Sequence, residues 1–395
     1  MGHQARQMAT AGHHVVLVAG RGAALEGAAS FVHLPLLDSR HPRVLAVKAG
    51  LDGGQVPADF AALSAGIERD LQTALEGVDV VLAHNICSLH KNLALTAALQ
   101  RLNGRPGWPR LILWHHDLAW TTDRYRAELH AGYPWELLRQ AWPGVVQVVV
   151  SEARQRELAS LLGLPAEAIH IVPNGVDAAR LLKLSEPAQA LAAELRLDQA
   201  APLLLLPARL TPRKNIELAL RVLAALRQQP DMAGQSFRSA GLLITGPAGP
   251  HNPANAGYRR RLEDLRDELG LAGAAYFAVE RAPAGLSDEV VADLYRLADA
   301  LLLPSREEGF GIPLLEAGLA RLPIFCTDIE PLRALGGADV TYFSPAAAPE
   351  MVAAAVAQRL GHDPVYRLAV RTRQNYAWER VYAQHIAPLL GGNLL

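Results

Sequence analysis

Cysteine is scarce in this sequence: there are two, Cys87 and Cys326, and they stand far apart without the CxxC spacing of a metal or redox motif. This argues against a disulfide framework and against a cysteine-ligated zinc site, and it fits a reducing compartment. The sequence also lacks apolar runs long enough to cross a bilayer and the charged-then-apolar order of a signal peptide. We therefore expect a cytoplasmic protein, for which attachment to a membrane surface stays open.

An excess of charge of either sign is missing as well, because 38 basic residues nearly balance 39 acidic ones. A balance this even leaves no global electrostatic attraction for nucleic acid, so we expect no nucleic-acid partner. Half of the 395 residues are hydrophobic. A chain of this length exceeds what one hydrophobic core usually covers, which predicts two domains.

Short apolar runs alternate with helical patterns along most of the chain. The apolar runs lie at 79–83, 111–114, 145–150, 203–206, 242–245, 274–278, 300–303, 323–327 and 340–343. Helical patterns at 60–75 and 89–102 separate some of them. This alternation predicts the α/β class, with parallel sheets that are covered on both faces.

The beginning of the chain departs from that order. Residues 3–12 have the pattern of the end of a helix, and residues 13–20 have the pattern of a strand. A doubly wound sheet normally starts with a strand before its first helix. We therefore expect that this chain lacks the first strand of its sheet and the loop that follows that strand.

Two carboxylates lie in the stretch REEGFGIPLLEAG, residues 306–318, after the apolar run 300–303. Pro313 suits the first turn of a helix, so the pattern predicts a strand, a loop with Glu308, and a helix with Glu316. Free amides at a helix start attract anions or sugar oxygens, whereas ionised carboxylates accept hydrogen bonds from hydroxyl groups. The alternative is that Glu316 only complements the helix dipole and Glu308 is only solvated.

A second strand-to-helix passage, PARLTPRKNIELAL at 207–220, carries the opposite charge. Thr211 suits the N-cap and Pro212 the first helical position, so Arg209, Arg213 and Lys214 would crowd the positive end of the helix dipole. Cations there cost a few tenths of a kcal/mol each unless an anion shares the site. A diphosphate would remove the conflict, although the basic side chains could instead extend into solvent.

Cations for a diphosphate and carboxylates for hydroxyl groups together indicate a nucleotide sugar. The pairing of ARLTPRKN with EGFGIPLLEA, in which Glu308 and Glu316 are separated by seven residues, resembles the retaining family 4 glycosyltransferases. PNGVD at 173–177, LADALLLPS at 297–305 and YAWERV at 376–381 are similar to that family too. The resemblance therefore spans most of the chain.

The resemblance implies the GT-B fold, in which two Rossmann-like domains face each other across a cleft. Residues 1–175 would form the acceptor domain and residues 176–375 the nucleotide-sugar donor domain. Residues 376–395 would form a helix that returns to the first domain. The family also implies a reaction without an essential metal or other cofactor.

The resemblance also assigns roles to individual residues. Arg209 and Lys214 would stabilise the leaving diphosphate, Glu308 would contact the donor sugar, and Glu316 would bind the ribose. Amides around Phe310 and Gly311 would touch the sugar. The residues expected to be catalytic are Arg209, Lys214, Glu308 and His116. Those expected to bind the donor are Glu316, Gly309, Phe310, Gly311, Ile312 and Asp117.

WHHDLAW, residues 114–120, follows a predicted strand, so His116 and Asp117 would lie at its carboxyl end. Family members often carry a histidine near the donor sugar, which is the role expected for His116. Metal binding is an alternative, but adjacent side chains point in different directions and no third ligand is spaced nearby. A purely structural histidine is the other alternative, and it is the expected role of His115.

Three further segments have open interpretations. Polar side chains at 83–92 would line an acceptor pocket or cap the helix that starts there. The Pro- and Gly-rich segment 246–258 would lie on the nucleotide side or form a rigid surface loop. GRG at 20–22 lacks the rest of a dinucleotide fingerprint and is discounted.

The expected function is that of a retaining glycosyltransferase, which moves a hexose from a donor of the GDP-mannose or UDP-glucose type to a hydroxyl acceptor. Fixed cations would stabilise the charge that builds on the leaving diphosphate. The alternatives are a GT-B sugar phosphorylase, a sugar-nucleotide epimerase, and an inactive nucleotide-sugar-binding protein with a shortened beginning. The acceptor, the oligomeric state and peripheral membrane contact stay open.

Overall fold

The computed structural model of the chain describes residues 1–247 and 254–391. It divides into two units: Met1–Val176 together with the segment from Trp378 onward form the first, and Asp177–Ala377 form the second. Every ladder between the named strands is parallel. The predicted α/β class with a parallel, Rossmann-like sheet in each of two units is confirmed.

The first unit contains two separate sheets. Its strands are β1 Val16–Ala19, β2 Ser30–His33, β3 Val80–His84, β4 Arg110–His115, β5 Val146–Val149 and β6 Ile169–Ile171. Its first helices are α1 Gly2–Thr10, α2 Pro42–Asp52, α3 Asp59–Ala74, α4 Leu93–Leu102 and α5 Glu152–Leu162. Strands β1 and β2 pair with each other, and β3 to β6 pair in chain order.

Among its described residues, the second unit contains one sheet of six strands. These are β7 Leu203–Leu206, β8 Gly241–Ile244, β9 Ala275–Phe277, β10 Ala300–Leu303, β11 Ile324–Thr327 and β12 Thr341–Phe343. The helices are α6 Ala178–Leu181, α7 Glu186–Glu194, α8 Ile216–Arg227, α9 Ala254–Glu268, α10 Asp288–Leu297, α11 Ile312–Leu319, α12 Glu330–Gly336, α13 Pro349–His362 and α14 Pro364–Tyr376. The strand order is β12-β11-β10-β7-β8-β9, so β10 returns past the starting strand.

Both faces of this second sheet are buried, which explains why its strands are continuous apolar runs rather than alternating ones. Leu204 and Leu206 of β7 pack on one side with residues of α8 and α13. Leu203 and Leu205 pack on the other side with residues of α7 and α10. Successive side chains of a strand point to opposite faces, so the four leucines divide between two cores.

The last segment of the chain covers one face of the sheet formed by β3 to β6. It consists of α15 Trp378–Val381, a π-helical turn Tyr382–Ile386 and α16 Ala387–Leu390. Trp378 and Val381 pack with Ile112 and Trp114 of β4, and α3 and α4 cover the opposite face. The segment therefore completes the core of the first unit.

The motifs PNGVD and YAWERV meet in space, since Gly175 lies directly against the ring of Trp378. A Cβ atom at Gly175 would lie 2.4 Å from Trp378 Cδ2, well inside van der Waals contact. Only glycine leaves room for the indole there. The two motifs, more than two hundred residues apart in sequence, thus form a single packing contact.

Several element boundaries differ from those expected. The helix expected at 89–102 starts at Leu93, after a 3₁₀ turn His90–Asn92, because the Asn92 side chain accepts a hydrogen bond from Leu95 N (3.2 Å) and caps it. No feature of the sequence distinguishes the residues of β2 from a loop. The expectation of a missing first strand concerns residues outside this sequence and stays a prediction.

Candidate functional site

The loops after β7 and β10 lie side by side at one point of the second sheet. These two strands are hydrogen-bonded neighbours, and Ala300 pairs with Leu204. After β7 the chain continues to β8, which lies on one side of β7, and it later forms β10 on the other side of β7. The strand order therefore reverses between β7 and β10. Connections that depart in opposite directions leave a crevice at the carboxyl ends of such strands, where open α/β sheets bind ligands.

The loop after β7 does not enter its helix as expected. Pro212–Lys214 form a single 3₁₀ turn, and α8 begins at Ile216 after Asn215, whose φ of 53° is left-handed. Thr211 is the N-cap residue of this 3₁₀ turn and Pro212 is its first residue, as expected, but the buried Thr211 hydroxyl has no hydrogen-bond partner among the described residues. Asparagine tolerates the left-handed region better than most residues, which allows this break. Lys214 consequently lies before the helix rather than in its first turn.

Lys214 and Glu308 form a buried ion pair. The Lys214 Nζ atom lies 2.5 Å from Glu308 Oε1, and the two side chains are 10% and 7% exposed. The Ser305 hydroxyl donates a second hydrogen bond to the same oxygen (2.7 Å), and Arg213 lies 3.7 Å from Glu308 Oε2. Two residues from separate motifs are thus in direct contact, and neither is simply solvated.

Backbone contacts hold the two loops together beneath this pair. Arg306 N donates to Arg213 O (2.8 Å), and the Arg306 guanidinium donates to the Asn215 side chain (3.1 Å). The fully buried Ser305 accepts at its carbonyl from the Thr327 hydroxyl (2.5 Å). Hydrogen bonds therefore join the loops that carry Lys214 and Glu308, and the sequence had given no signal for the contribution of Ser305.

Glu316 is an exposed residue of α11 whose carboxylate is held by a hydrogen bond. The Tyr295 hydroxyl of α10 donates to Glu316 Oε2 at 2.6 Å. Tyr295 is itself 4% exposed, and burial followed by this carboxylate raises the pKa of its hydroxyl. The phenol therefore stays protonated and holds one carboxylate oxygen, which leaves Oε1 available.

Arg209 is exposed and makes no side-chain hydrogen bond or ion pair within residues 1–247 and 254–391. Its backbone packs tightly against the start of the segment 246–258: a Cβ at Gly246 would lie 2.2 Å from Ala208 O. Leu210 N also donates to Pro247 O (3.0 Å). Residues 248–253 of that Pro- and Gly-rich segment lie outside the described residues.

The segment between the two carboxylates is a turn with exposed apolar side chains. Phe310 is 56% and Ile312 58% exposed, whereas Gly311 is buried with φ of 110°. A Cβ at Gly311 would lie 2.6 Å from Leu332 Cδ2, so glycine is required there. A Cβ at Gly309 would have none of the described atoms of other residues within 4 Å, its chain neighbours aside. Pro313 lies in the first turn of α11, as expected.

In the first unit, His116 and Asp117 follow β4 and are held by Asn85, which follows β3. The Asn85 side-chain oxygen accepts from His116 N (2.7 Å) and from Asp117 N (3.3 Å). Asn85 has a left-handed φ of 54°, and its own amide donates to Trp114 O (2.8 Å). Asn85, in the segment 83–92, thus fixes the turn after β4 by hydrogen bonds, a role that the sequence did not indicate. The predicted roles of His116 and Asp117 in donor binding stay predictions.

Histidines crowd this end of the first unit. The His116 Nε2 atom lies 3.4 Å from His84 Nδ1, and burial lowers the pKa of both rings, that of His84 to about 3. His115 is 3% exposed and its Nε2 lies 2.8 Å from Gln147 Oε1. Burial lowers the pKa of His115 to about 4. These rings are neutral at pH 7. His115 is buried beside Gln147, which is the environment of a structural histidine.

The first unit should therefore lose stability in mild acid. The pKa of His115 is about 4 in the folded state and about 6.5 in the unfolded state, so the unfolded state takes up a proton first as the pH falls. This protonation favours the unfolded state, and the free energy of unfolding therefore decreases as the pH falls below about 6.5. At pH 5 His115 alone would cost about 2 kcal/mol. Urea unfolding at pH 7 and pH 5 measures this loss.

The variant His115→Gln should lose less stability between these two pH values than the wild type, because it removes the titrating ring. Exposed His14→Gln is the matched control. An equal pH dependence in His115→Gln and the wild type would contradict the assignment.

One cluster with metal-like spacing occurs in the described part of the chain, and it does not include His116. Asp52, His90 and Glu128 each offer a ligand atom, and these atoms lie within 4.8 Å of one another. Lys48 already lies among them, with Nζ 2.5 Å from Asp52 Oδ2 and 3.0 Å from Glu128 Oε2. An ammonium group there neutralises the carboxylates and repels a cation.

The helices of the described residues include none with the length and apolar character required to span a membrane.

Two family models together match most of the chain. The model described as glycosyltransferase family 4 matches residues 1–180, and the model described as glycosyl transferases group 1 matches residues 188–375. The first match covers β1 to β6, and the second covers the complete second sheet with Lys214, Glu308 and Glu316.

Several named proteins are similar to this chain in sequence. The D-inositol 3-phosphate glycosyltransferase of Kineococcus radiotolerans is 30% identical over 356 residues, which are 83% of this chain and 75% of that enzyme. The MMP alpha-(1->4)-mannosyltransferase of Mycolicibacterium hassiacum is 25% identical over 98% of this chain and 92% of that enzyme. For the D-inositol 3-phosphate glycosyltransferase of Nocardia farcinica the identity is 26%, and the match spans 63% of that enzyme.

Among solved structures, a glycosyltransferase from Rickettsia africae matches 99% of this chain and 94% of its own, with 14% identity and a TM-score of 0.37. With the two matching family models and the relative that is 30% identical, the chain belongs to glycosyltransferase family 4.

Proposed function

We propose that this glycosyltransferase is a retaining hexosyltransferase, which transfers a hexose from a nucleoside-diphosphate sugar to a hydroxyl acceptor. The observation that carries the proposal is the buried pair of Lys214 and Glu308 at the point where the strand order of the second sheet reverses. Burying two charges is costly unless their attraction and further hydrogen bonds compensate. A pair placed where such sheets bind ligands is better explained by a reaction than by stability alone.

Lys214 and Arg209 have donors to spare for a diphosphate. The ammonium group has three N–H bonds, and its contact with Glu308 uses one. Arg209 adds a guanidinium that has no hydrogen-bond or ion-pair partner among the described residues, and its forked donors fit phosphate oxygens. As the bond to the sugar breaks, negative charge builds on the leaving diphosphate, and cations already in place stabilise it without reorganisation.

The two carboxylates are suited to sugar hydroxyl groups. Glu308 Oε1 already accepts two hydrogen bonds, from Lys214 and Ser305, so Oε2 is the oxygen available to a hydroxyl of the donor hexose. Glu316 Oε2 accepts from Tyr295, so Oε1 is available to the ribose. The positive charge of Lys214 also offsets the repulsion between Glu308 and a phosphate.

Retention of configuration fits this arrangement without a covalent intermediate. A carboxylate that is engaged by an ammonium group and a hydroxyl is a poor nucleophile, which distinguishes Glu308 from the nucleophile of retaining hydrolases. Attack by the acceptor on the face that the diphosphate leaves would retain configuration. Lys214 and Arg209 supply the positive charge that a metal ion supplies elsewhere, so we propose that no metal is essential.

Nucleotide binding tests this proposal directly. The thermal midpoint of the full chain is measured with UDP, GDP and ADP and with their glucose and mannose conjugates, with and without EDTA. A ligand that binds only the folded state raises the midpoint. We expect one nucleotide series to raise it, equally in EDTA, and the double variant Arg209→Ala, Lys214→Ala to lose the shift.

Arg221→Ala is the matched control, because Arg221 is an exposed cation of α8 outside the two loops. A shift that survives in the double variant, or the absence of a shift with every nucleotide, would reject the diphosphate site.

A further inference from the structure

A cavity of about 610 Å³ opens in the second unit at the end of the sheet away from Lys214 and Glu308. Its lining includes Gly241, the first residue of β8, and Ala275, the first residue of β9. Lys214 and Glu308, by contrast, follow the last residues of β7 and β10. All strands of the sheet are parallel, so the two places lie at opposite ends of the strands.

Four arginines line this cavity, which we call the arginine cavity: Arg196, Arg227, Arg266 and Arg281. Two of them are neutralised. The Arg266 guanidinium lies 2.9 Å from Glu280 Oε1, and Arg281 pairs with Glu194. Within the part of the chain that the structure describes, Arg196 and Arg227 have no ion pair. The lining therefore carries an excess of positive charge.

Arg227 is held in place without losing its charge. It is partly buried at the end of α8, and its NH1 donates to the carbonyl of Ala240 at 2.8 Å. A carbonyl orients a guanidinium but does not neutralise it. Arg196 has a left-handed backbone, with φ of 52°, between the buried residues Leu195 and Leu197. Its side chain is exposed while its backbone is anchored by these neighbours.

Tyr276 joins the two arginines to an apolar wall. Its hydroxyl donates to Gly273 O at 2.5 Å, and its ring lines the cavity together with Leu195 and several alanines. Burial raises the pKa of Tyr276, and the nearby guanidinium groups of Arg227 and Arg196 oppose that rise. Arg196, Arg227 and Tyr276 line the same cavity, and the carboxylate of Asp198 also acts on the Tyr276 hydroxyl, in the opposite direction to the two cations.

We propose that the arginine cavity binds a phosphate monoester of sugar size, at a site separate from the donor site. The volume lies within the range of about 300–1,000 Å³ typical of small-molecule pockets. Guanidinium groups bind phosphate in a bidentate manner, so Arg196 and Arg227 would hold the phosphate group. The ring of Tyr276 and the apolar wall would contact the body of the ligand.

Thermal unfolding of the full chain with glucose 6-phosphate tests the proposal, with glucose as the uncharged control. At a concentration ten times the dissociation constant, a ligand should raise the midpoint by about 3–6 °C for a unit of this size. We expect this rise with glucose 6-phosphate and none with glucose. The double variant Arg196→Gln, Arg227→Gln should lose it.

Two further variants separate this site from others. Arg221→Gln, on the exposed side of α8, should keep the rise, and so should Arg209→Ala, Lys214→Ala, which alters the donor site. If the donor-site variant loses the rise, glucose 6-phosphate binds there and the proposal is wrong. It is equally wrong if the wild type shows no rise, or if Arg196→Gln, Arg227→Gln keeps it. Each variant is first shown to be folded by its unfolding transition without ligand.

Discussion

Replacing Lys214 by methionine should lower the turnover of the donor about 10²- to 10³-fold, the effect typical of removing one preorganised group that stabilises transition-state charge. The ammonium group would act on the leaving diphosphate, where charge grows as the reaction proceeds. Binding of the ground-state donor should weaken less than turnover falls, because the contact strengthens in the transition state. Slow hydrolysis of the donor identified by nucleotide binding, followed as release of nucleoside diphosphate, measures this without a known acceptor.

A structural effect must be separated from the chemical one, since Lys214→Met leaves the buried carboxylate of Glu308 without its main partner. The single variant should therefore also unfold more easily. The double variant Lys214→Met, Glu308→Gln has no buried charge and should regain stability while it stays inactive. Recovery of activity together with stability in the double variant would show that Lys214 serves only the fold. Exposed Lys183→Met is the matched control.

Replacing Arg373 by methionine should lower the free energy of unfolding of the second unit by about 3 kcal/mol or more, which is typical when one partner of a buried ion pair is removed. Arg373 NH2 lies 2.9 Å and 2.7 Å from the two oxygens of Asp299, and the side chains are 17% and 4% exposed. Asp299 also accepts from Leu203 N at 2.8 Å. The pair thus ties α14 to the starts of β7 and β10.

Urea unfolding, followed by circular dichroism, measures this loss. Arg371→Met is the control on the same helix, since Arg371 is exposed and surface changes usually alter stability by less than about 0.5 kcal/mol. The double variant Asp299→Asn, Arg373→Met should be more stable than Arg373→Met, because it no longer buries an unpaired carboxylate. If Arg373→Met and Arg371→Met unfold alike, the pair does not hold the unit together.

The fold class follows from local pattern. The runs 203–206 and 300–303 coincide with β7 and β10 because a strand buried on both faces must be apolar along its whole length. Glycine and proline at the loop ends were informative for local reasons too. Gly311 has a φ of 110°, which a residue with a Cβ adopts only with strain, and Pro313 suits the first turn of a helix, where no amide hydrogen is needed. Element ends were less predictable, as the break at Asn215 shows, because side-chain packing decides them.

The chemical character of the candidate site could also be predicted, whereas its internal contacts could not. Cations after one strand and carboxylates after another indicated a nucleotide sugar. The sequence could not show that Lys214 contacts Glu308, since 94 residues separate them. Nor could it show that Tyr295 holds Glu316 or that Asn85 holds the turn at His116, because such hydrogen bonds depend on which elements become neighbours.

By itself, then, the sequence determined the α/β class, the parallel character of the sheets and the residue types for a diphosphate and for hydroxyl groups. These properties depend on periodicity, turn residues and charge, which are local. The tertiary structure alone decided that β7 and β10 are adjacent, that Lys214 and Glu308 are buried as a pair, and that Trp378 packs on Gly175. The physical reason is that strand order and long-range packing arise from the burial of whole faces, which no short segment encodes.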